Sequence, residues 1–159
     1  MTQITIITIG SIKEDYLKDA IGEYKKRLSQ FARVDEVNIK EELIKNEDSP
    51  SEIARALDAE ADKILAAVPK DSYKIALCIE GKQFSSEELA KIIGEANDAS
   101  GKITLIIGSS HGLSDRVKSA VSLKLSYSKL TFPHQLMRVI LFESLYRSFT
   151  ILLGKKYHK

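Results

Sequence analysis

Residues 103–120, ITLIIGSSHGLSDRVKSA, are typical of a buried strand, a glycine-containing loop and a short helix that follows Ser114. A continuous run of apolar residues bounded by turn-forming residues is typical of a strand covered on both faces. The same order of strand and helix recurs along the chain. A helix between two strands serves as the right-handed crossover connection that joins parallel strands. The alternation of strands and helices therefore predicts a parallel sheet.

The neighbouring segments extend this pattern in both directions. The predicted strands are Ile4–Ile9, Val34–Ile39, Tyr73–Ile79, Ile103–Ile107 and an alternating run over Ala120–Tyr127. Helices are predicted from Lys13 to Leu28, from Ser49 with Pro50 at its first position, after a cap at Ser85 or Ser86 with Glu88 nearby, after Ser114, and from about Pro133 to Leu153. Lys40–Ser49 is predicted to be a mobile surface loop. We therefore predict an α/β fold, a single domain over residues 1–159 with helices on both faces of a parallel-type sheet.

Composition is that of a soluble globular protein, with 43% hydrophobic and 29% charged residues in 159. Such values exclude disorder, a collagen-like fibre and a disulfide scaffold. The single cysteine, Cys78, is predicted to be a small buried hydrophobe in a reducing compartment. No targeting segment or membrane span is evident, so a cytoplasmic location is expected.

Charge is distributed unevenly along the chain. Residues 1–115 carry 15 Lys and Arg against 21 Asp and Glu, whereas residues 116–159 carry 9 against the single acid Glu143. A basic C-terminal third indicates an anionic partner, with nucleic acid the leading candidate. An acidic substrate, an acidic patch on a second subunit, or water and counterions would satisfy the same charges.

The predicted last helix has two apolar stripes. One contains Leu141, Leu145, Phe149 and Leu152, and the other contains Val139, Phe142, Tyr146 and Leu153. One stripe can be buried on the chain's own sheet, so the second indicates a homodimer interface.

Three predicted strands end in glycine, at Gly10, Gly81 and Gly108, and ligands bind at the carboxyl edge of open α/β sheets. The sequence after the fourth strand, Gly108 to Gly112, also matches the G-x-S-x-G motif of serine hydrolases. In that alternative Ser110 is the nucleophile, His134 or His158 the base, and Asp115 or Glu143 its partner. The same loop is equally compatible with a glycine-rich ligand site. Neither a dinucleotide nor an ATP motif occurs, and the histidine spacing predicts no metal site.

Residues 125–135, LSYSKLTFPHQ, join the last strand to the last helix and mix hydroxyls, a lysine and an aromatic residue. Such a loop is suited to line a site. The alternative is a simple turn in which Thr131 caps the helix and Gln135 reaches back to it.

Six segments in this order carry a family resemblance. They are ITIITIG at residues 4–10 in the first strand, Leu77 before Glu80-Gly81-Lys82, IIGSSHGL at 106–113, LSYSKLTFPHQLMRV at 125–139, ESLYR at 143–147 and the terminal YHK at 157–159. Together they resemble the RlmH-type ribosomal RNA methyltransferases of the SPOUT class, from one end of the chain to the other. The family loop usually has a second glycine where this chain has Ser109.

The resemblance implies an S-adenosylmethionine-dependent enzyme that methylates N3 of a pseudouridine in large-subunit ribosomal RNA. It also implies a homodimer with a C-terminal trefoil knot. The donor pocket carried over from the family comprises Leu77, Gly108, Tyr127, Ser128, Lys129, Leu130, Thr131 and Phe132.

Methyl transfer requires alignment of donor and acceptor and a deprotonated acceptor. The candidates for this chemistry are His134, Arg138, Tyr157 and His158, with Arg138 predicted to face phosphate or developing charge. Tyr157 is predicted to stack on a base, and the tail lysines to pair with phosphates. A serine hydrolase and a non-catalytic dimeric RNA-binding module are the competing interpretations.

Overall fold

The computed structural model describes residues 1–157, in which strands and helices alternate as the sequence predicts. The elements are β1 (Thr2–Ile9), α1 (Asp15–Leu28), β2 (Ala32–Ile39), α2 (Pro50–Ala67), β3 (Tyr73–Lys82), α3 (Ser86–Ser100), β4 (Lys102–Ile107), α4 (Asp115–Ala120), β5 (Leu123–Leu125) and α5 (His134–Leu152).

The five strands form one sheet in the order β2-β1-β4-β3-β5, and every neighbouring pair is parallel. This confirms the predicted α/β class. After β5, at the edge of the sheet, α5 packs on α1 and α3. This late crossover is compatible with a trefoil knot, which itself stays a prediction.

Alternate residues of the strands lie in two hydrophobic cores, one on each face of the sheet. Ile4 and Ile6 of β1 belong to the core beneath α1, α3 and α5. Ile7 and Ile9 belong to the core beneath α2 and α4. Because both faces are covered, β1 needs apolar residues on both sides, which explains its unbroken β-branched sequence.

Side-chain caps begin three of the helices. Ser49 accepts a hydrogen bond from Glu52 N (3.3 Å), Ser85 forms a reciprocal capping box with Glu88, and Ser114 accepts from Val117 N (3.4 Å). The alternative cap at Thr131 is wrong, because α5 follows Pro133 and has no side-chain cap.

The fifth strand is shorter than predicted, three residues, because its partner β3 breaks register. Leu77 and Lys82 both pair with Leu125, so residues 78–81 bulge out between them. A Cβ at Gly81 would lie 2.8 Å from the carbonyl carbon of Leu125. Glycine at this position therefore allows the end of β3 to close over β5.

Most of the second apolar stripe of α5 is buried within the chain, whereas Leu152 and Leu153, at the ends of the two stripes, are 43% and 59% exposed. The homodimer stays a prediction. Phe142 is 1% exposed, and Val139 and Tyr146 pack against the chain's own core. Replacing Phe149, which is 6% exposed, by aspartate would disrupt this core rather than an interface. Although α5 is long and apolar, no helix within residues 1–157 has the length and hydropathy to span a bilayer.

Candidate active site

A cavity of about 670 Å³ opens at the carboxyl ends of β3, β4 and β5. Its walls are formed by residues 77–80 and 107–113, most of residues 125–134, Lys118 and Met137. Its volume suits a ligand of nucleoside size or somewhat larger. The cavity lies at the strand edge predicted from the glycines, although only Gly108 of those three lines it.

Gly108 allows the β4–α4 loop to turn tightly. A Cβ at this position would overlap the carbonyl group of Gly112 and lie 2.9 Å from Leu113 Cγ. The loop is closed by a hydrogen bond from Gly112 N to Ser109 O (2.9 Å), and Gly112 has φ +85°. The loop therefore excludes any side chain at residue 108 before a ligand is considered.

Ser109 stands where the resemblance leads us to expect a second glycine, and this loop accommodates it. Its φ is not positive, because Asp71 is the only non-glycine residue among residues 1–157 with that conformation. Its hydroxyl accepts a hydrogen bond from His111 N (3.3 Å). The substitution therefore adds a stabilising contact to the loop without backbone strain.

The segment after β5 forms the opposite wall. Ser126 N donates to Lys82 O (2.9 Å), and Leu130 N donates to Ser128 Oγ (3.0 Å). The Tyr127 hydroxyl shares a hydrogen bond of 2.6 Å with Ser144 Oγ on α5, and burial raises the pKa of this phenol. Of the residues predicted to form the donor pocket, only Lys129 does not line the cavity.

A charged pair that the sequence does not predict lies at the rim of the cavity. Lys118 Nζ of α4 lies 2.5 Å from Glu80 Oε1 in the β3 bulge. This contact lowers the pKa of Glu80 and raises the pKa of Lys118. Glu80 stands next to Gly81, at the end of a predicted strand, where a site residue is expected. No sequence pattern, however, indicates that its partner is Lys118, 38 residues further along the chain.

His134 is the first residue of α5 and lines the cavity. Burial is the main cause that lowers its pKa below the ordinary value, and the charge of Arg138 adds to this effect. The imidazole is therefore neutral at pH 7 and able to accept a proton.

Arg138, predicted to face phosphate or developing charge, is not among the residues that line the cavity. It is only 5% exposed, and its Nη2 donates to the carbonyl oxygens of Ile9 (2.8 Å) and Gly10 (2.5 Å). Its Nε is buried without a hydrogen-bond partner among the described residues. A guanidinium in this position fixes α5 on β1, and its role towards phosphate or developing charge stays a prediction.

The structure does not support the serine hydrolase. Ser110 lines the cavity, but none of its hydrogen bonds within residues 1–157 involves a histidine. Glu143 is bound to Arg147 and Tyr157, and Asp115 begins α4. His158, the other proposed base, lies outside the described residues.

Tyr157 is not at the chain's own cavity. Its ring lies edge-on to Tyr146 at 4.8 Å, with the Arg147 guanidinium 4.8 Å from its centroid, and its hydroxyl donates to Glu143 Oε1 (3.3 Å). Burial, together with the neighbouring Tyr24, raises its pKa to about 12. These contacts occupy the ring, so base stacking would require it to move.

Cys78 is buried as predicted, at 8% exposure, and burial raises the pKa of its thiol. A raised pKa keeps the sulfur protonated at neutral pH, which argues against a nucleophilic cysteine.

Comparison with known proteins agrees with this geometry. Residues 2–158 match the family model described as "Predicted SPOUT methyltransferase". A putative ribosomal RNA large subunit methyltransferase H from Methanococcus maripaludis is 51% identical, covering 98% of this chain and 99% of the relative. A ribosomal RNA large subunit methyltransferase H from Caldicellulosiruptor bescii is 49% identical with the same coverage. A probable methylase family protein from Haemophilus influenzae has a similar fold, with TM-score 0.57, 16% identity and coverage of 98% of this chain and 70% of that chain.

Proposed function

The chain belongs to the SPOUT methyltransferase family, and on this premise we propose that it transfers a methyl group from S-adenosylmethionine to N3 of a pseudouridine in large-subunit ribosomal RNA. The relatives' names support ribosomal RNA as the substrate class. The choice of pseudouridine N3 rests on the family resemblance.

The cavity at the ends of β3, β4 and β5 is the observation that carries the proposal. Its volume of about 670 Å³ suits S-adenosylmethionine. Leu77, Tyr127 and Phe132 offer apolar surface to an adenine ring, and the tight loop at Gly108 brings backbone close to the ligand. The Lys118–Glu80 pair supplies both charges that a zwitterionic amino-acid group requires at the rim.

S-adenosylmethionine would supply an activated methyl group that is transferred by in-line displacement. The protein then has to hold the acceptor in line and remove its N3 proton. We assign proton acceptance to His134, because it lines the cavity and its lowered pKa keeps it neutral. Arg138 is assigned a positioning role, since its bonds to Ile9 and Gly10 fix the helix turn that carries His134.

The tail is proposed to act in a second subunit. Tyr157 contacts Glu143, which follows His134 by nine residues, a separation of about 14 Å along α5. The tail would therefore have to leave these contacts to reach its own cavity. A homodimer that packs the outer face of α5, where Leu136 is 38% exposed, provides another cavity for it to reach.

The test is methyl transfer from radiolabelled S-adenosylmethionine to purified large ribosomal subunits and 70S ribosomes, followed by mass analysis of nucleosides. We expect one N3-methylated pseudouridine per ribosome. Label in protein, or in another nucleoside, would contradict the proposal.

A further inference from the structure

Tyr127 stands between two cavities. It lines the cavity at the ends of β3, β4 and β5, and it also lines a smaller one of about 170 Å³, here called the second cavity. The other walls of the second cavity come from α3 and α5, and they include Glu143, Ser144 and Ser148. The orientation of the Tyr127 side chain therefore decides how the space is divided between the two cavities.

Ser144 on α5 holds the hydroxyl group of Tyr127. The two oxygens are 2.6 Å apart, and Ser144 Oγ also donates to the carbonyl oxygen of Leu141 at 2.9 Å. Because a serine hydroxyl has one proton to donate, Tyr127 is the donor in its bond to Ser144. Burial raises the pKa of the phenol, so this proton stays in place at neutral pH.

The anchor is important because the backbone around Tyr127 has no regular structure. Tyr127 follows the end of β5 by two residues and belongs to neither a strand nor a helix. Ser144, in contrast, is in the middle of α5, where its own carbonyl oxygen accepts from Ser148 Oγ (2.9 Å). The hydrogen bond thus fixes a wall residue of the first cavity to a rigid helix.

We propose that Ser144, which is not among the residues lining the first cavity, is a positioning residue for the methyl donor. By accepting a hydrogen bond from Tyr127, it holds the ring as a wall of the donor site. The inference rests on the proposed function, in which Tyr127 offers apolar surface to the adenine ring. Such surface contributes most to affinity when it is already ordered, because ordering a free side chain on binding costs free energy.

Loss of the Ser144 hydroxyl has a direction that the second cavity predicts. The Tyr127 proton is then left without its acceptor, and an unsatisfied buried donor is costly. The carboxylate of Glu143 lines the second cavity, and its charge acts on the Tyr127 phenol. We therefore expect the ring to turn away from the donor and towards the second cavity. When the Tyr127 hydroxyl is removed as well, this cost disappears and the ring has no reason to turn.

The test is the dissociation constant of S-adenosylmethionine, measured by titration calorimetry, with thermal denaturation to verify folding. Ser144→Ala should bind the donor about fivefold or more weakly. Ser144→Thr keeps the hydroxyl and should remain within about twofold of the wild type. The double variant Ser144→Ala with Tyr127→Phe should bind more tightly than Ser144→Ala and match Tyr127→Phe alone, because removal of both partners leaves no unsatisfied group.

Ser148→Ala is the matched control. Ser148 is on α5, bonds a backbone carbonyl through its hydroxyl and lines the second cavity, whereas Tyr127 bonds Ser144. We expect this variant to have wild-type affinity. Wild-type affinity in Ser144→Ala, equal weakening in Ser148→Ala, or a double variant that binds no more tightly than Ser144→Ala overturns the inference. A wild type that binds S-adenosylmethionine but transfers no methyl group to ribosomal RNA contradicts the proposed function alone, and one that does not bind it contradicts both.

Discussion

Arg138 Nη2 donates to the carbonyl oxygen of Ile9 at 2.8 Å and so ties the first turns of α5 to the carboxyl end of β1. Two segments at opposite ends of the sequence are joined by this one side chain, which directly follows Met137, one of the two residues of α5 that line the cavity. The contacts explain why a charged group can be buried here, because the guanidinium donates to two backbone carbonyl oxygens in place of water.

Replacing Arg138 by methionine should remove this link, so that Ile9 O loses its side-chain donor and Gly10 O keeps only its hydrogen bond from Asn38 Nδ2. We expect a loss of about 2 to 4 kcal/mol in the free energy of unfolding, measured by urea denaturation. The control is Arg33→Met, an exposed residue whose pair with Asp35 spans 3.4 Å, for which we expect a change below about 0.5 kcal/mol. Equal losses in the two variants would show that the buried contact contributes no more to the free energy of unfolding than an exposed ion pair does.

Replacing Gly108 by alanine should weaken S-adenosylmethionine binding at least about tenfold, because the new Cβ displaces Gly112 and distorts the loop. Titration calorimetry gives the affinity, and circular dichroism verifies folding. Gly22→Ala is the matched control, since Gly22 is in α1 with open space around it and alanine favours helix. Wild-type affinity in folded Gly108→Ala would place the donor elsewhere.

The rate of methyl transfer should depend on pH through the protonation of His134. Since burial lowers its pKa, the neutral imidazole persists to lower pH than for a free histidine, and kcat/KM should fall only below about pH 6.5. In His134→Ala the acidic limb should vanish together with most of the rate, while S-adenosylmethionine affinity changes little. An unchanged acidic limb in that variant assigns the titrating group to another residue.

Deleting residues 157–159 should leave folding and S-adenosylmethionine binding nearly intact and lower ribosomal RNA methylation at least about tenfold. Mixing this deletion with His134→Ala tests which subunit receives the tail. If the tail acts in the partner, mixed dimers contain one complete site and activity returns. If each tail serves its own chain, neither protein supplies a complete site and the mixture stays inactive.

Glu60 is 3% exposed on α2 and accepts a hydrogen bond from Glu42 N (2.9 Å). Burial raises the pKa of this carboxyl group above its ordinary value. The free energy of unfolding therefore falls as the pH rises from the pKa of the unfolded chain to the higher pKa of the folded protein. Glu60→Gln keeps an acceptor oxygen without the charge. We expect its melting temperature at pH 8 to exceed that of the wild type by roughly 2 to 4 °C, with the difference shrinking towards pH 4. A constant difference across this range would exclude ionisation as its cause.

The apolar strand runs and the serine caps are local signals, which is why the order of elements and the starts of α2, α3 and α4 followed from sequence. Apolar periodicity also predicted the position of α5. It did not predict which elements of the chain pack against this helix. Tyr146 has partners from α1 that become neighbours only when the sheet is assembled. The same limit applies to Arg138 and to the pair of Lys118 with Glu80. The residue types show that these side chains are charged, but their burial and their partners depend on tertiary contacts that the sequence does not reveal.

Most of residues 125–134 form one wall of the cavity, and they begin at the last residue of β5, the fifth of the five strands. A polypeptide emerging during synthesis thus contains β1 to β4 before it has any enclosed ligand site, and Arg138 arrives later still to join the two ends. A chain that ends before residue 125 therefore lacks this wall of the cavity, although four of its strands are complete.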